Sequence, residues 1–492
     1  MMKRLHILLM ALGIPFLSLG QQGTNAAQPQ TAQVFTLDQA IQYALENSMR
    51  VKNAILDQDL SKAKVKETIG IGLPQISGSA SIVDNPTLPR FFTAYSGPGG
   101  FFDLSGVPGI QVGDVVAAKN PFQLPSSGTG QLSVNQLIFN GSYLVGLKAS
   151  NTYKELATRT REQTEQDIIQ LVKKAYYAVL INKERTLLFD ANINRVDSLL
   201  KNTRALNENG FAESIDVDRV KVSLNNLTSE RDKFLNLNEL GLQLLKFQMN
   251  YPQDQPIEVA GNIQDVEVNT NIDSYKEDWN YQNRPDYKVL LVNQRLQELS
   301  IKNQYANAVP VISAFANLGY STQSPNIGGI FSTSGTVKDN GAIGPDSWYG
   351  FSQIGLNLSV PIFTGLSRSA RIQQEKIKLN QIGNNFVVLK NSIDLEITQA
   401  SIQFNNSLKT LTAQKENQEL AGNVARVTKI KYQQGVGSSL EVTDAENALR
   451  QAQTNYYTAL FDAMLAKVDL DKAYAKLLPT NYRNTVTNPD KN

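Results

Sequence analysis

Few residues of this 492-residue chain are suited to bond-making chemistry. The only histidine is His6 and there is no cysteine, so beyond the first few residues no imidazole or thiolate is available for a Ser-His pair, a general base near neutral pH, or the usual zinc and copper sites. Carboxylates working in pairs need no histidine, but no isolated acid pair and no Gly-x-Ser-x-Gly elbow stands out. An enzyme is therefore not expected, and no cofactor or metal is implied. The chemistry left is electrostatic. Glu441 and Asp444 fall in the first turn of a helix that follows the reversal Gln434-Gly435-Val436-Gly437-Ser438, and Asp216 follows a similar reversal at Asn209-Gly210-Phe211. Acids at such a position stabilise the helix through its dipole, with Ser439 or Thr443 as its cap. Turned towards a narrow lumen in several copies, they would concentrate negative potential and favour cations.

The elements that place these reversals are long helices. No proline occurs from Gly141 through Asn250 or from Ile362 through Leu478, and Gln, Glu, Lys, Leu and Ala dominate both stretches. At 1.5 Å per residue, helices over about 142–208 and 366–433 each extend on the order of 100 Å, too long for a globule. Shorter helices return over 218–250 and 440–478, and helices over about 37–67 and 274–307 supply the missing length. Leu449, Ala452, Tyr456, Ala459, Ala463, Ala466, Leu470, Ala473 and Leu477 alternate spacings of three and four, a heptad seam whose small residues allow close approach. Ile168, Val172, Ala175 and Val179 repeat it over a shorter run.

The chain is one unit written twice. Leu73-Pro74-Gln75-Ile76-Ser77 recurs as Val309-Pro310-Val311-Ile312-Ser313, 236 positions on; Ile138-Phe139-Asn140-Gly141 recurs as Ile362-Phe363-Thr364-Gly365 at 224, and the two reversals are 225 apart. The offset falls inside 84–129, a segment rich in Gly, Pro and Phe that reads as a surface loop. Each unit holds two stretches that alternate with a period of two, about 72–83 and 130–139, then 310–320 and 351–363. Ile354, Leu356, Leu358 and Val360 against Gln353, Gly355, Asn357 and Ser359 is the clearest. A small and polar face opposite an aliphatic one fits a wall with water on one side and lipid on the other, with Trp348, Tyr349 and Phe363 near the strand ends as interfacial aromatics.

Residues 1–20 combine Lys3 and Arg4 with an apolar stretch and small residues before Gln21, the pattern of a secretory signal. No later run reaches the roughly 18–20 apolar residues of a transmembrane helix; a soluble exported protein would show the same absence, and the remaining way to span a membrane is a closed barrel. Without Lys3 and Arg4, 45 basic residues face 45 acids with no basic tract, and no nucleic-acid partner is expected. The expected divisions are a signal at 1–20, a first repeat at 33–250, a linker at 251–273, a second repeat at 274–478 and a polar tail at 479–492.

Four strands do not close a transmembrane barrel, which begins at about eight, so several copies must share one; three copies give twelve strands, although the arithmetic alone also permits two or four. At this point the chain resembles the TolC-type outer-membrane efflux family, through the duplicated strand-strand-helix frame, Leu73-Pro74-Gln75-Ile76-Ser77, Ile362-Phe363-Thr364-Gly365, Arg284-Pro285-Asp286-Tyr287 and Tyr432-Gln433-Gln434-Gly435. The resemblance covers roughly 33–478. It implies an α+β membrane protein: a homotrimer whose twelve-stranded barrel in outer-membrane lipid continues into an α-helical coiled-coil tunnel through the periplasm. It further implies docking on a periplasmic adaptor (membrane fusion protein) and an inner-membrane pump of RND or ABC type, to export small molecules or polypeptides. By position, Glu441 and Asp444 resemble the family's gate acids and Asp216 and Tyr432 its latch, while Gly437 stands where the family has a latch arginine. Gly210, Phe211, Ser214, Ile215, Gly435, Val436, Ser438 and Leu440 are the expected adaptor-docking tips, with packing against neighbouring tips as the alternative. The competing whole-protein reading is a non-conducting structural or adhesive coiled-coil trimer.

Overall fold

The computed structural model describes residues 32–99, 108–120, 122–263, 273–277, 279–331 and 348–477; the expected signal and polar tail lie outside the described residues. In chain order the elements are β1 (Gln33–Phe35), α1 (Leu37–Asn47), α2 (Met49–Ile71), β2 (Gln75–Asp84), β3 (Phe91–Ala94), β4 (Val115–Ala118), β5 (Ser126–Phe139), α3 (Gly141–Glu208) and α4 (Ser214–Met249). They continue with β6 (Ile257–Val259), α5 (Asp273–Lys276), α6 (Pro285–Ala306), β7 (Val311–Ser324), α7 (Ile327–Ile330), β8 (Tyr349–Ser359), α8 (Ser367–Gln433) and α9 (Ser439–Ala473).

The proline-free stretches are the two shafts, α3 with 68 residues and α8 with 67, each about 100 Å long. α3 starts on Asn140, whose side chain accepts from the Tyr143 amide. α4 and α9 fold back along them. The 225-residue repeat is visible in what is buried: Ile168 and Ile393, Ala175 and Ala400, Asn182 and Ser407 on the shafts, then Val220 and Ala445, Leu227 and Ala452, Leu245 and Leu470 on the returning helices. The heptad seam lies inward as its spacing requires, with Tyr456 alone only partly buried.

The strand expected over 351–363 spans Tyr349–Ser359 and the one expected over 130–139 starts earlier, at Ser126, and three helix boundaries also differ from the sequence reading. The helix expected over 37–67 is broken at Ser48 (φ −56°, ψ 128°), which lets α1 turn Ala40, Ile41, Ala44 and Leu45 into the core independently of α2. The helix expected from 274 resolves into the short α5 and then α6, which starts with Pro285 in its first turn, the place where a missing N–H costs nothing. α9 stops at Ala473, and Ala475 turns left-handed (φ 55°). Two additions were not expected. β3 and β4 form an antiparallel hairpin inside the segment read as a loop, and β6, inside the segment read as a linker, pairs in parallel with β1.

That parallel pair marks the largest core, midway along the shafts, where α1, α3, α4 and α9 meet β1 and β6. Phe35, Tyr43 and Tyr251 pack with ring centroids 5.5–5.7 Å apart. The Tyr176 hydroxyl shares its one proton between the carbonyls of Ala260 (2.6 Å) and Phe35 (3.0 Å), tying both strands to α3. A second staple is Arg284, only 6% exposed. It donates to both carboxylate oxygens of Asp286 (3.1 and 2.8 Å), to Glu396 on α8 (2.7 Å) and to the Lys472 and Ala473 carbonyls that end α9 (both 3.2 Å).

At one end of the shafts the four long strands form an antiparallel sheet in the order β2-β5-β7-β8. Residues paired across a sheet share a face, so the register tests the alternation. Ile76 pairs with Val134, Val134 with Ala316 and Ala316 with Ile354; Ser77 pairs with Ser133, Ser133 with Asn317 and Asn317 with Gln353. One face is mainly aliphatic and the other mainly small and polar across all four strands, with Phe315, Tyr349 and Phe351 as large exceptions on the polar face and Gln136 and Ser352 as polar ones on the aliphatic face. A one-residue slip in any pair would have mixed them. On the polar face Gly319 lies against the Gly130 carbonyl oxygen and Gln131, and Phe315 lies over Gly355, where an added Cβ would come within 2.7 Å of its ring. Ile354, Leu356 and Leu358 on β8 are 80%, 75% and 62% exposed, so the aliphatic face is uncovered. The sheet is open, with β2 and β8 as its edges.

Candidate functional site

The far end of the shafts carries the two reversals. After α3, the Gly210 amide donates to Asn207 and the Phe211 amide to Leu206; after α8, the Gly435 amide donates to Tyr432 and the Val436 amide to Lys431. Gly210 (φ 78°) and Gly435 (φ 74°) take the left-handed conformation that closes such helix ends, which a side chain would oppose. The turns push Phe211 and Val436 into solvent, 82% and 79% exposed. Ser214, Ile215, Ser438 and Leu440 are exposed beside them.

Between the two tips lies a cleft of about 830 Å³ lined by Leu199, Asn202, Leu206, Phe211, Lys429, Tyr432, Gly435 and Gly437, among others. It draws Phe211, Tyr432 and Gly435 of the sequence-derived set together, from both repeats. Leu199, Asn202, Leu206 and Lys429 were not anticipated; the one signal for them was Leu199 and Leu206, seven apart. An added Cβ on Gly437 would lie 3.1 Å from the Tyr432 nitrogen, so the position where the family has arginine is pressed against its own turn.

The four gate candidates sit at this end in different surroundings. Glu441 is exposed and completes an N-cap: its amide donates to Ser438 Oγ (3.2 Å), and Ser438 Oγ donates to its carboxylate (3.3 Å). The cap is thus Ser438 rather than Ser439 or Thr443, because Ser438 holds the extended conformation (φ −91°, ψ 154°) just outside the helix; Thr443 bonds back to the Ser439 carbonyl instead. Asp444 is exposed one turn on. Asp216, half-buried, pairs with Arg219 at 3.4 Å, and Tyr432 lines the cleft. Arg219, which offsets the Asp216 charge, was missed.

Above the cleft the two hairpins are joined along α3 and α9 by polar contacts. Arg195 meets Glu446 at 3.7 Å, Asn192 donates to Gln453 (3.2 Å), Arg185 to Thr458 (2.6 Å), Gln170 to Asp469 (2.8 Å), and Lys472 to Asp167 (3.1 Å). Burial lowers the pKa of Arg185, opposed by Asp462. Among the described residues there is no cluster of three metal-ligating side chains and no helix long and apolar enough to cross a membrane.

The described residues thus form an open sheet with one aliphatic face, continued into helical shafts of about 100 Å. Residues 281–476 match the family described as outer membrane efflux protein. That stretch is thus similar to the outer membrane efflux proteins, in agreement with the resemblance read from the sequence. No curated protein matches the sequence. Solved structures extend the likeness to the whole fold. The VceC outer-membrane protein of Vibrio cholerae has a TM-score of 0.65 at 13% identity, covering 89% of this chain and 96% of its own. The CmeC outer-membrane channel of Campylobacter jejuni has 0.65 at 15%, covering 92% and 90%, and the open-state MtrE channel of Neisseria gonorrhoeae 0.65 at 16%, covering 90% and 89%. At these identities the likeness is one of fold.

Proposed function

We propose that three copies of this chain share one twelve-stranded barrel and form an exit duct through which an inner-membrane pump, joined by a periplasmic adaptor, expels its cargo. The observation that carries the reading is the four-stranded sheet. It has one aliphatic and one polar face and two open edges, and open edges are not tolerated in lipid. With an even number of antiparallel strands per copy, β8 of one copy meets β2 of the next antiparallel, so a ring closes without a mismatch. Shafts of about 100 Å suit a tunnel below such a barrel.

The tips serve as inner mouth and docking surface. Glu441 and Asp444 in threefold repetition favour cations, and Asp216 and Tyr432 contribute to closure. The cleft between the tips, with Phe211 and Val436 at its rim, suits an apolar ridge of the adaptor's helical hairpin. Native mass in detergent followed by single-channel conductance in planar bilayers tests the reading. A trimer with discrete conductance steps is the expected result. A chain that stays monomeric and soluble without detergent would overturn it, and a trimer that remains silent when the tips are cut back would favour the structural coiled-coil alternative.

A further inference from the structure

We infer that a small monovalent anion of halide size binds midway along the shafts, in a cavity between α3 and α9 where Lys173, Lys467 and Tyr177 converge. The site goes beyond the exit-duct reading and does not depend on it. The cavity has a volume of about 50 Å³ and is lined by Lys173 and Tyr177 of α3 and by Met464, Lys467, Val468 and Asp471 of α9. One water needs about 10–15 Å³, so the space admits a single ion with a remnant of its hydration shell.

Donors outnumber acceptors around this space. An ammonium group carries three N–H donors and no acceptor. Lys173 makes no ion pair among the described residues, and its one hydrogen bond there is long, 3.4 Å to the Leu477 carbonyl. Lys467 uses one donor on Asp471 at 3.2 Å. Burial pushes the Tyr177 hydroxyl up to about 12, with Asp471 and Asp38 adding to the rise, so it keeps a proton to donate. Asp471 is the one carboxylate of the lining, and it already accepts from the Tyr275 hydroxyl at 2.7 Å as well as from Lys467. A water brings as many donors as acceptor sites and leaves the surplus as it was. An anion only accepts.

Charge runs the same way, with two ammonium groups in the lining against one carboxylate. The neighbouring lysines are matched: Lys174 meets Asp469 at 2.6 Å and Lys472 meets Asp167 at 3.1 Å. Lys173 is left over. Burial pushes its pKa down; Asp471 opposes the fall, Lys467 adds to it and Asp38 opposes it. An anion held between Lys173 and Lys467 offsets both the burial and the repulsion. Met464 and Val468, 1% and 2% exposed, give the cavity an apolar wall. Such a wall strengthens the pairing and disfavours an ion that holds its water tightly, so bromide or chloride is taken in preference to fluoride. The ion joins α3 of one hairpin to α9 of the other at the level of the largest core, to which Val172, Tyr176, Met464 and Val468 belong.

Native-state hydrogen exchange of the full-length protein in bromide and in fluoride, at equal pH and ionic strength, tests the site. An ion that binds only the closed form lowers local opening about tenfold at ten times its dissociation constant. The amides of residues 467–471 should therefore exchange about tenfold more slowly in bromide at that concentration, while those near Leu227 stay level. Strongly hydrated anions stabilise folded proteins in general, so a salt effect without a site would favour fluoride. K173M keeps the length of the side chain without its charge and should abolish the difference; Y177F, which keeps the ring, should reduce it. Crystals grown in bromide should show its anomalous signal in the cavity of the wild type and not in K173M. Equal exchange in the two salts, a bromide effect that survives K173M, or an anomalous signal confined to other positions overturns the site. Protection by phosphate but by neither bromide nor chloride overturns the assignment to a monovalent ion.

Discussion

Replacing Arg284 with alanine should loosen the junction of α6, α8 and α9 without touching the tips. The guanidinium has all its partners within the chain, and although burial opposes its charge, Asp286 and Glu396 outweigh that and raise its pKa, so it stays protonated. Removing it takes the only side-chain donor from the Lys472 carbonyl, which keeps the Ala475 amide, and from the Ala473 carbonyl, at about 1 kcal/mol each. It also breaks pairs with two carboxylates that are themselves 25% and 37% exposed. Because water re-solvates those acids, the ion-pair part is discounted to about 1 kcal/mol rather than the several expected of a fully buried pair. The sum, about 3 kcal/mol, is roughly a hundredfold in a local opening equilibrium. Native-state hydrogen exchange reads it directly. The amides of Tyr474, Ala475 and Lys476, which close the end of α9, should exchange about 100-fold faster in R284A, while amides in the α3–α4 hairpin near Leu227 stay unchanged. R284K, with a point charge in place of a planar fork, should recover less than half of the protection. Unaltered exchange at residues 474–476 in R284A would refute the staple.

Three further outcomes follow from the same geometry. The Tyr176 hydroxyl is pushed up to about 12, chiefly by burial, with the Tyr177 phenol beside it adding to the rise. Its folded value thus lies above the unfolded value near 10, so its contribution is complete below about pH 10 and is lost as pH rises towards 12; alkaline unfolding followed by phenolate absorbance should show a step that Y176F removes. G319V would drive a branched side chain into the Gly130 carbonyl and Gln131. Overpacking of this kind costs about 1–3 kcal/mol, and the temperature at which trimers dissociate on denaturing gels should fall. E441A/D444A should reduce cation over anion permeability in bilayer recordings, and a wild-type channel with no cation preference, unchanged in the variant, would remove these acids from the gate.

What the sequence made legible was whatever has a period. The alternation over 351–363 located β8 because each side chain faces a different medium, and the three-four spacing from Leu449 to Leu470 located the packed face of α9. The reversals were legible because Gly210 and Gly435 are needed for their left-handed turns. Elements too short to show a period were missed: β1 and β6 have three residues each, and their pairing joins positions more than two hundred apart. The break at Ser48 was invisible because serine is an acceptable helix residue and only the tertiary fit of α1 demands a bend. Arg284 was noticed as part of a motif, but its role was not, since Glu396 and Lys472 are brought to it by two different helices. At the tips the turn chemistry was readable, whereas the Asp216–Arg219 pair and the lower wall of the cleft depend on which helix faces lie side by side.

The aromatic ring that rests on a glycine bears on the bore of the proposed barrel. Phe315, like Phe351 and Tyr349, is a large side chain among the small and polar residues of its face, and its ring occupies the space that Gly355 leaves open, where an added Cβ would come within 2.7 Å of it. Filling that space, as in G355L, would displace the ring, and in the proposed barrel of three copies the same displacement would recur at three points around one circumference.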